Sequence, residues 1–113
     1  MHTKSEVTEI IRELCNRVAY LFPQNQIEAI LFGSYARGDA DLGSDIDVLL
    51  LVDASRQEIQ ARNWQVGNVA ADLMLDYGIM ISPIVENRSY FKLNVELLPF
   101  YRNIDREGVR MSA

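Results

Sequence analysis

The chain has 113 residues and a mass of 12.9 kDa, the size of one ordinary domain, which we expect to cover residues 1–113. Hydrophobic residues make up 49% and charged residues 24%, a balance typical of globular proteins rather than disordered or fibrous ones. The net charge of −5 argues against broad binding to nucleic-acid backbone, and the single cysteine, Cys15, excludes an internal disulfide. The longest apolar run, residues 48–52, is much shorter than a membrane span, so we expect a soluble cytoplasmic protein without membrane contact.

The predicted elements begin with a helix over residues 5–22. Apolar side chains recur there at helical spacing, Thr3 and Glu6 have the spacing of a capping box, and Pro23 ends the segment. The later elements, in chain order, are a strand at 27–32, a turn or short helix with a loop at 34–43, a strand at 46–52, a helix at 54–76, a strand at 79–85, and a helix at 99–107 capped by Gly108. This order predicts an α/β (α+β) fold in which helices pack on a small mixed sheet of three to four strands.

Two of the strands carry information about their place in the sheet. The strand at 46–52 is almost continuously apolar after Asp47, which predicts burial on both faces. Pro83 interrupts the strand at 79–85, and because proline cannot donate to a ladder, it predicts an edge position or a bulge.

A pair of carboxylates at the start of the second strand gives the first functional signal. Asp45 and Asp47 are two residues apart, so in a strand their side chains point to the same face. Such a pair repels itself unless a cation lies between the two groups, and Mg²⁺ binds one or two protein carboxylates together with water and substrate phosphates. We therefore predict that Asp45 and Asp47 bind Mg²⁺.

A phosphate-binding turn is predicted directly after the first strand. Gly33 allows close approach of the backbone to a ligand, and Ser34, where it opens a helical turn, offers free N–H groups and its hydroxyl to a phosphate oxygen. Arg37 follows three residues later and can reach the same anion or an acidic neighbour. Ser44 is a further nucleotide-binding candidate, with a role in bracing the loop left open. A phosphate cradle that faces a metal-binding carboxylate pair is the arrangement that nucleotidyl transfer requires.

One stretch of the chain resembles a known family signature. It consists of GSYARG at residues 33–38, five further residues, and SDID at residues 44–47. This pattern resembles the signature of the DNA polymerase β-type nucleotidyltransferase superfamily, and more narrowly that of the minimal nucleotidyltransferases, small prokaryotic proteins that are little more than a catalytic core. The chain length, the order of the elements and the stretch at 99–108 also fit, so the resemblance covers nearly the whole chain.

The resemblance implies a function and a set of partners. It implies that Gly33 and Ser34 hold a nucleoside triphosphate, with ATP expected, and that Asp45 and Asp47 bind Mg²⁺. Minimal nucleotidyltransferases often pair with a helical HEPN-domain protein as the antitoxin of a toxin–antitoxin module, and members have been described as inactivating that partner by transferring AMP to it. A homo-oligomer is a further arrangement that the sequence leaves open.

The expected base for the acceptor hydroxyl is less clearly present. Active members of the family carry a third carboxylate on the strand beside the Asp-x-Asp strand, and on the matching strand here only Glu86 offers one. Glu86 is therefore a candidate catalytic residue beside Asp45 and Asp47. Without such a base, nucleotide binding would persist but catalysis would weaken by about 10²–10⁴-fold. The alternative hypothesis is a catalytically weak or inactive nucleotide-binding module that neutralises a partner protein by occlusion.

Overall fold

The computed structural model describes residues 2–22 and 26–111. The helices are α1 Lys4–Val18, α2 Ser34–Arg37, α3 Arg56–Tyr77, α4 Arg88–Asn94 and α5 Pro99–Glu107. The strands are β1 Glu28–Phe32, β2 Ile46–Val52, β3 Ile81–Asn87 and β4 Val109–Met111. The mixed α/β fold is therefore confirmed, with two elements, α4 and β4, that the sequence did not predict.

The first helix begins as the sequence indicated and ends earlier. The Thr3 side chain accepts a hydrogen bond from the Glu6 N–H, and the Glu6 side chain accepts one from the Thr3 N–H, so the capping box is confirmed. The helix stops at Val18 rather than at residue 22, because the residues that follow form turns with bonds to carbonyls three residues back. Pro23, the predicted terminator, lies outside the described residues.

The four strands form one mixed sheet in the order β3-β2-β1-β4. β1 is antiparallel to β2 and to β4, whereas β2 and β3 are parallel. Parallel neighbours require a crossover, and α3 supplies it between β2 and β3. Ser55 caps the start of this helix, and Gly78, with φ 71°, ends it. β3 is an outer strand, which confirms the edge position predicted from Pro83.

Helices cover both faces of the sheet, and β2 is buried on each side. One set of alternating β2 residues, including Val48 and Leu50, packs with α1 and α3 in the larger core. The other set, including Leu49 and Leu51, packs with Phe91 of α4 and Ile104 of α5 in a smaller core. Burial of β2 on both faces is thus confirmed. Because side chains alternate along a strand, Asp47 lies on the face that α4 and α5 cover.

Within the part of the chain that the structure describes, no helix has the length and apolar character required to cross a membrane.

Candidate functional site

The two candidate metal ligands lie at the entrance of β2. Asp47 is the second residue of the strand and Asp45 directly precedes it, and both side chains are half-buried. Burial raises the pKa of the Asp47 carboxyl, the negative charge of Asp45 raises it further, and Arg37 opposes both effects. The two carboxylates repel each other, and a cation bound between them would relieve this repulsion. Two carboxylates with solvent access fit Mg²⁺, which completes its shell with water and phosphate oxygens.

The Gly33 backbone lies directly against the Asp47 carboxylate. Phe32 pairs with Asp47 across the β1–β2 ladder, so the chain turns at Gly33 beside the carboxylate. Gly33 has φ 76° and ψ −157°, a region that is almost confined to glycine. A Cβ at this position would lie 2.3 Å from Asp47 Oδ2. The fold therefore joins the predicted phosphate turn to the predicted metal ligands by direct contact, and glycine is the residue that permits it.

A substitution at Gly33 tests this contact. We expect Gly33→Ala to destabilise the fold by roughly 2–4 kcal/mol, because a side chain adds backbone strain and a clash with Asp47. Gly38→Ala is the matched control: Gly38 has φ 83°, but beyond its own chain neighbours no described residue has an atom within 4 Å of the position that a Cβ would take. Only strain of about 1–2 kcal/mol therefore applies. Urea unfolding of both variants measures the difference, and equal losses would contradict the contact.

The turn continues into the short helix α2. The N–H groups of Ala36 and Arg37 donate to the Gly33 carbonyl at 3.1 and 3.0 Å, and those of Gly38 and Asp39 donate to the Ser34 carbonyl at 3.0 and 3.1 Å. The N–H groups of Ser34 and Tyr35 come before Ala36 in the chain and, like the first N–H groups of any helix, have no acceptor within the helix. The predicted helical turn at Ser34 is therefore present, with two donors free of intrahelical bonds.

Arg37 is shared between two carboxylates. Its Nε lies 3.3 Å from Asp39 Oδ2, and its Nη1 lies 3.5 Å from Glu107 Oε1. Asp39 and, to a smaller extent, Glu107 raise the pKa of the guanidinium. The same Glu107 oxygen accepts the Gly33 N–H at 3.3 Å. Sequence reasoning did not select Glu107, because 70 residues or more separate it from both partners.

Gly33, Ser34, Arg37, Asp47 and Glu107 line one cleft of about 460 Å³, a size within the usual range of small-molecule sites. Its lining residues are Phe32, Gly33, Ser34, Arg37, Asp47, Phe100, Asn103, Ile104 and Glu107. A neighbouring cavity of about 230 Å³ is lined by Ser44, Asp45, Tyr35 and Met80, among others. Asp47 therefore lines the first cleft together with the phosphate candidates Gly33, Ser34 and Arg37, whereas Asp45 lines the second cavity.

Ser44 is engaged with its own loop. Its Oγ accepts the Asp41 N–H at 2.9 Å and lies 3.2 Å from Asp41 Oδ1, to which it can donate. These bonds hold the backbone directly before Asp45. The geometry favours the bracing role for Ser44 over direct contact with a nucleotide.

The structure does not bring Glu86 to the carboxylate pair. In the parallel β2–β3 ladder, Ser82 is the partner of Asp47, and Glu86 lies four residues further, roughly 13 Å along the strand. The buried Glu86 carboxylate accepts from the Asn87 N–H at 2.8 Å, from Arg56 Nε at 3.3 Å and from the Tyr101 hydroxyl. Burial and this contact raise the pKa of Tyr101. These bonds account for Glu86 as a structural link between β3, α3 and α5.

The strand positions beside the pair carry no carboxylate. Ser82 adjoins Asp47, and Met80 adjoins Asp45, because the Ile46 N–H donates to the Met80 carbonyl at 2.9 Å at the start of the ladder. Across residues 2–22 and 26–111, no three His, Cys, Asp or Glu side chains are grouped closely enough to hold a metal ion together. The described site therefore offers a metal ion the Asp45 and Asp47 carboxylates, with no third carboxylate grouped with them.

The raised pKa of Asp47 has a consequence for stability. The folded state retains the Asp47 proton to a higher pH than the unfolded chain does, so stability falls as pH rises from the ordinary carboxyl range through the raised value. This cost is greatest above the raised pKa, where Asp47 is charged in the folded state. We expect Asp47→Asn to melt at a higher temperature than the unsubstituted protein in EDTA at pH 7, and the difference to shrink as the pH falls. Added Mg²⁺ should raise the melting temperature of the unsubstituted protein alone, and a lower melting temperature of the variant in EDTA would contradict the assignment.

Comparison with known proteins defines the class of this fold and site. The family described as "Nucleotidyltransferase domain" matches residues 8–105. The chain therefore belongs to the nucleotidyltransferase family of the DNA polymerase β superfamily, which confirms the resemblance seen in its signature residues. Membership makes it a nucleotidyltransferase by enzyme class.

Particular relatives come from the archaeon Methanocaldococcus jannaschii. The chain is 37% identical over 84 residues to "Putative protein adenylyltransferase MJ0141", covering 74% of this chain and 83% of the relative. It is 35% identical over 98 residues to "Putative protein adenylyltransferase MJ0604", covering 87% and 90%. A solved structure described as "Crystal structure of the toxin-antitoxin with AMP-PNP" superposes with a TM-score of 0.56 at 17% identity, over 94% of this chain and 73% of that chain. At this identity the superposition establishes the fold.

Proposed function

We propose that the protein is a Mg²⁺-dependent adenylyltransferase that transfers AMP from ATP to a hydroxyl group of a partner protein. The hydroxyl oxygen loses its proton to solvent and forms a bond to the α-phosphorus, the bond from that phosphorus to the bridging oxygen breaks, and pyrophosphate leaves. The observation that carries this proposal is the contact between Gly33 and the Asp47 carboxylate, which joins the phosphate-binding turn to one member of the carboxylate pair in a single cleft.

The carboxylates, the phosphate-binding turn and Arg37 would have separate roles in this reaction. Asp45 and Asp47 would hold Mg²⁺, which when bound neutralises phosphate charge and aligns the reacting oxygens. The Ser34 hydroxyl, with the free N–H groups of Ser34 and Tyr35, would bind phosphate oxygens of ATP. Arg37 would contribute a positive charge at the rim of the cleft, where its side chain is exposed.

The relatives support a protein as the acceptor. Both named relatives carry the description "Putative protein adenylyltransferase", and the superposed structure is described as a toxin–antitoxin with AMP-PNP. We therefore propose that the protein acts as the antitoxin of a toxin–antitoxin module, on a helical HEPN-type partner.

A second function is favoured by one observation. Met80 and Ser82 occupy the strand positions beside Asp45 and Asp47 where a third carboxylate would act as base. A protein without that base could bind nucleotide and neutralise its partner by occlusion, with little or no transfer. This alternative requires the same fold and the same nucleotide cleft.

A labelling experiment separates the two functions. The protein is incubated with Mg²⁺, ATP labelled at the α-phosphate, and a candidate helical HEPN-type partner protein. Covalent label on the partner, dependent on Mg²⁺, is the result that the adenylyltransferase proposal predicts. Absence of label with every divalent metal tested, while the partner is still neutralised, would replace that proposal with occlusion.

A further inference from the structure

The Glu107 carboxylate lines the cleft and accepts hydrogen bonds from two groups of the predicted phosphate-binding turn. Its Oε1 accepts from the Gly33 N–H at 3.3 Å and from Arg37 Nη1 at 3.5 Å. Both donors belong to the turn that the proposed function assigns to ATP. A negative charge of the chain itself therefore already interacts with groups that would meet the phosphates.

The backbone on both sides of Glu107 is fixed. Glu107 ends α5, and at Gly108 a Cβ would lie 2.3 Å from the Ile104 carbonyl oxygen and 2.5 Å from Ile30 Cγ2, so the chain passes very close to β1. β4 begins at the next residue, where Val109 pairs with Leu31. These contacts fix the backbone from which the Glu107 side chain lines the cleft.

Glu107 has little to contribute as a brace for the turn. Four backbone hydrogen bonds, all between 3.0 and 3.1 Å, already hold α2 without it. The two bonds that Glu107 accepts are longer, and its side chain is 34% exposed. The larger effect of Glu107 is therefore its charge beside a site for phosphate groups, since like charges repel strongly in a partly buried cleft.

We propose that Glu107 is an internal competitor for the phosphate groups and makes nucleotide binding depend on the accompanying divalent metal; this inference rests on the proposed function. ATP without a metal ion carries its full negative charge, and its phosphates must approach the negatively charged Glu107 carboxylate in order to bind. ATP that carries Mg²⁺ has part of that charge neutralised and meets less repulsion on the same approach. Within the described residues Glu107 is not grouped with Asp45 and Asp47 as a three-carboxylate metal site, so its role differs from theirs.

The test compares Glu107→Gln, which keeps the shape and the acceptor oxygen but removes the charge, with Asp105→Asn. Asp105 lies on the same helix, pairs with Arg110 at 3.1 Å and does not line the cleft, so it controls for net charge. Calorimetry measures the Kd of ATP in EDTA and in Mg²⁺. We expect Glu107→Gln to bind about tenfold more tightly in EDTA and about two- to threefold more tightly in Mg²⁺, with Asp105→Asn within about twofold of the unsubstituted protein in both.

The outcomes separate this inference from the proposed function. If the unsubstituted protein binds ATP with Mg²⁺ but Glu107→Gln binds equally well or more weakly, Glu107 is a brace and the inference is overturned. Glu107→Ala gives a second reading: tighter binding supports competition, whereas weaker binding overturns it. If the unsubstituted protein does not bind ATP even with Mg²⁺, the proposed function itself fails.

Discussion

The double substitution Asp45→Asn and Asp47→Asn is expected to abolish transfer of label from ATP to the partner protein. Both carboxylates that would hold Mg²⁺ are lost, and metal stabilisation of the transition state is worth several kcal/mol, so the rate should fall by at least about 10²–10⁴-fold. The fold should persist, since removing the repulsion between the two groups relieves an unfavourable interaction. Transfer is measured as covalent label per unit time at saturating ATP.

Asp53→Asn is the matched control for that experiment. Asp53 directly follows β2 at the opposite end from the pair and contacts Arg88 at 3.0 Å, so its loss removes a similar charge from the same strand without touching the cleft. Its transfer rate should stay within about twofold of the unsubstituted protein, in keeping with the small contribution of exposed ion pairs. Transfer that survives the double substitution would place the reaction at another site.

Met80→Asp is expected to increase the transfer rate by about 10²-fold or more, within the range that a general base contributes. Met80 directly precedes β3 and adjoins Asp45, and its side chain is 52% exposed, so a carboxylate there would be hydrated and able to meet an acceptor hydroxyl. The gain depends on the absence of a base of this chain's own beside the pair.

Ile84→Asp controls for the added charge. Ile84 is 37% exposed and pairs with Leu49, so a carboxylate there lies on the same strand but two residues beyond the partner of Asp47. We expect no gain from this variant. An unsubstituted protein that transfers rapidly and is not improved by Met80→Asp would mean that another group, from this chain or its partner, already serves as the base.

The parts of the fold that the sequence predicted depend on local signals. The capping box of Thr3 and Glu6 acts over one helical turn, and the apolar run after Asp47 reports burial of a strand by its own composition. The glycine and carboxylate positions of the candidate site were likewise legible, because the residues at 33–38 and 44–47 form one compact pattern. What brings them together is the β1–β2 pairing, which adjacent antiparallel strands adopt readily.

The parts that the sequence did not predict depend on distant contacts. β4 has three residues, two of them exposed, and exists because it pairs with β1. α4 begins directly after β3 with no loop, where the Asn87 side chain accepts the Tyr90 N–H, so no turn residues mark its start. Glu107 reaches Gly33 only through the packing of α5 on β1, which no local pattern encodes.

The position of Glu86 likewise depends on contacts that the sequence pattern does not reveal. Strand alternation predicts that the Glu86 side chain lies on the same face of the sheet as Asp47, and the observed β2–β3 register agrees. Its distance along the strand and its capture by Arg56 and Tyr101 depend on where β3 starts relative to β2. Sequence periodicity determines the face of a strand residue but not its register.

Transfer of the nucleotide, rather than of a phosphoryl group, to a protein hydroxyl is the central claim for this protein. The most direct measurement is parallel incubation of the protein and the proposed HEPN-type partner with Mg²⁺ and ATP labelled either at the α- or at the γ-phosphate. We predict covalent label from the α-labelled ATP alone, together with a mass increase of the partner equal to one AMP group. Label from γ-labelled ATP, or none from either while the partner is neutralised, would contradict this claim.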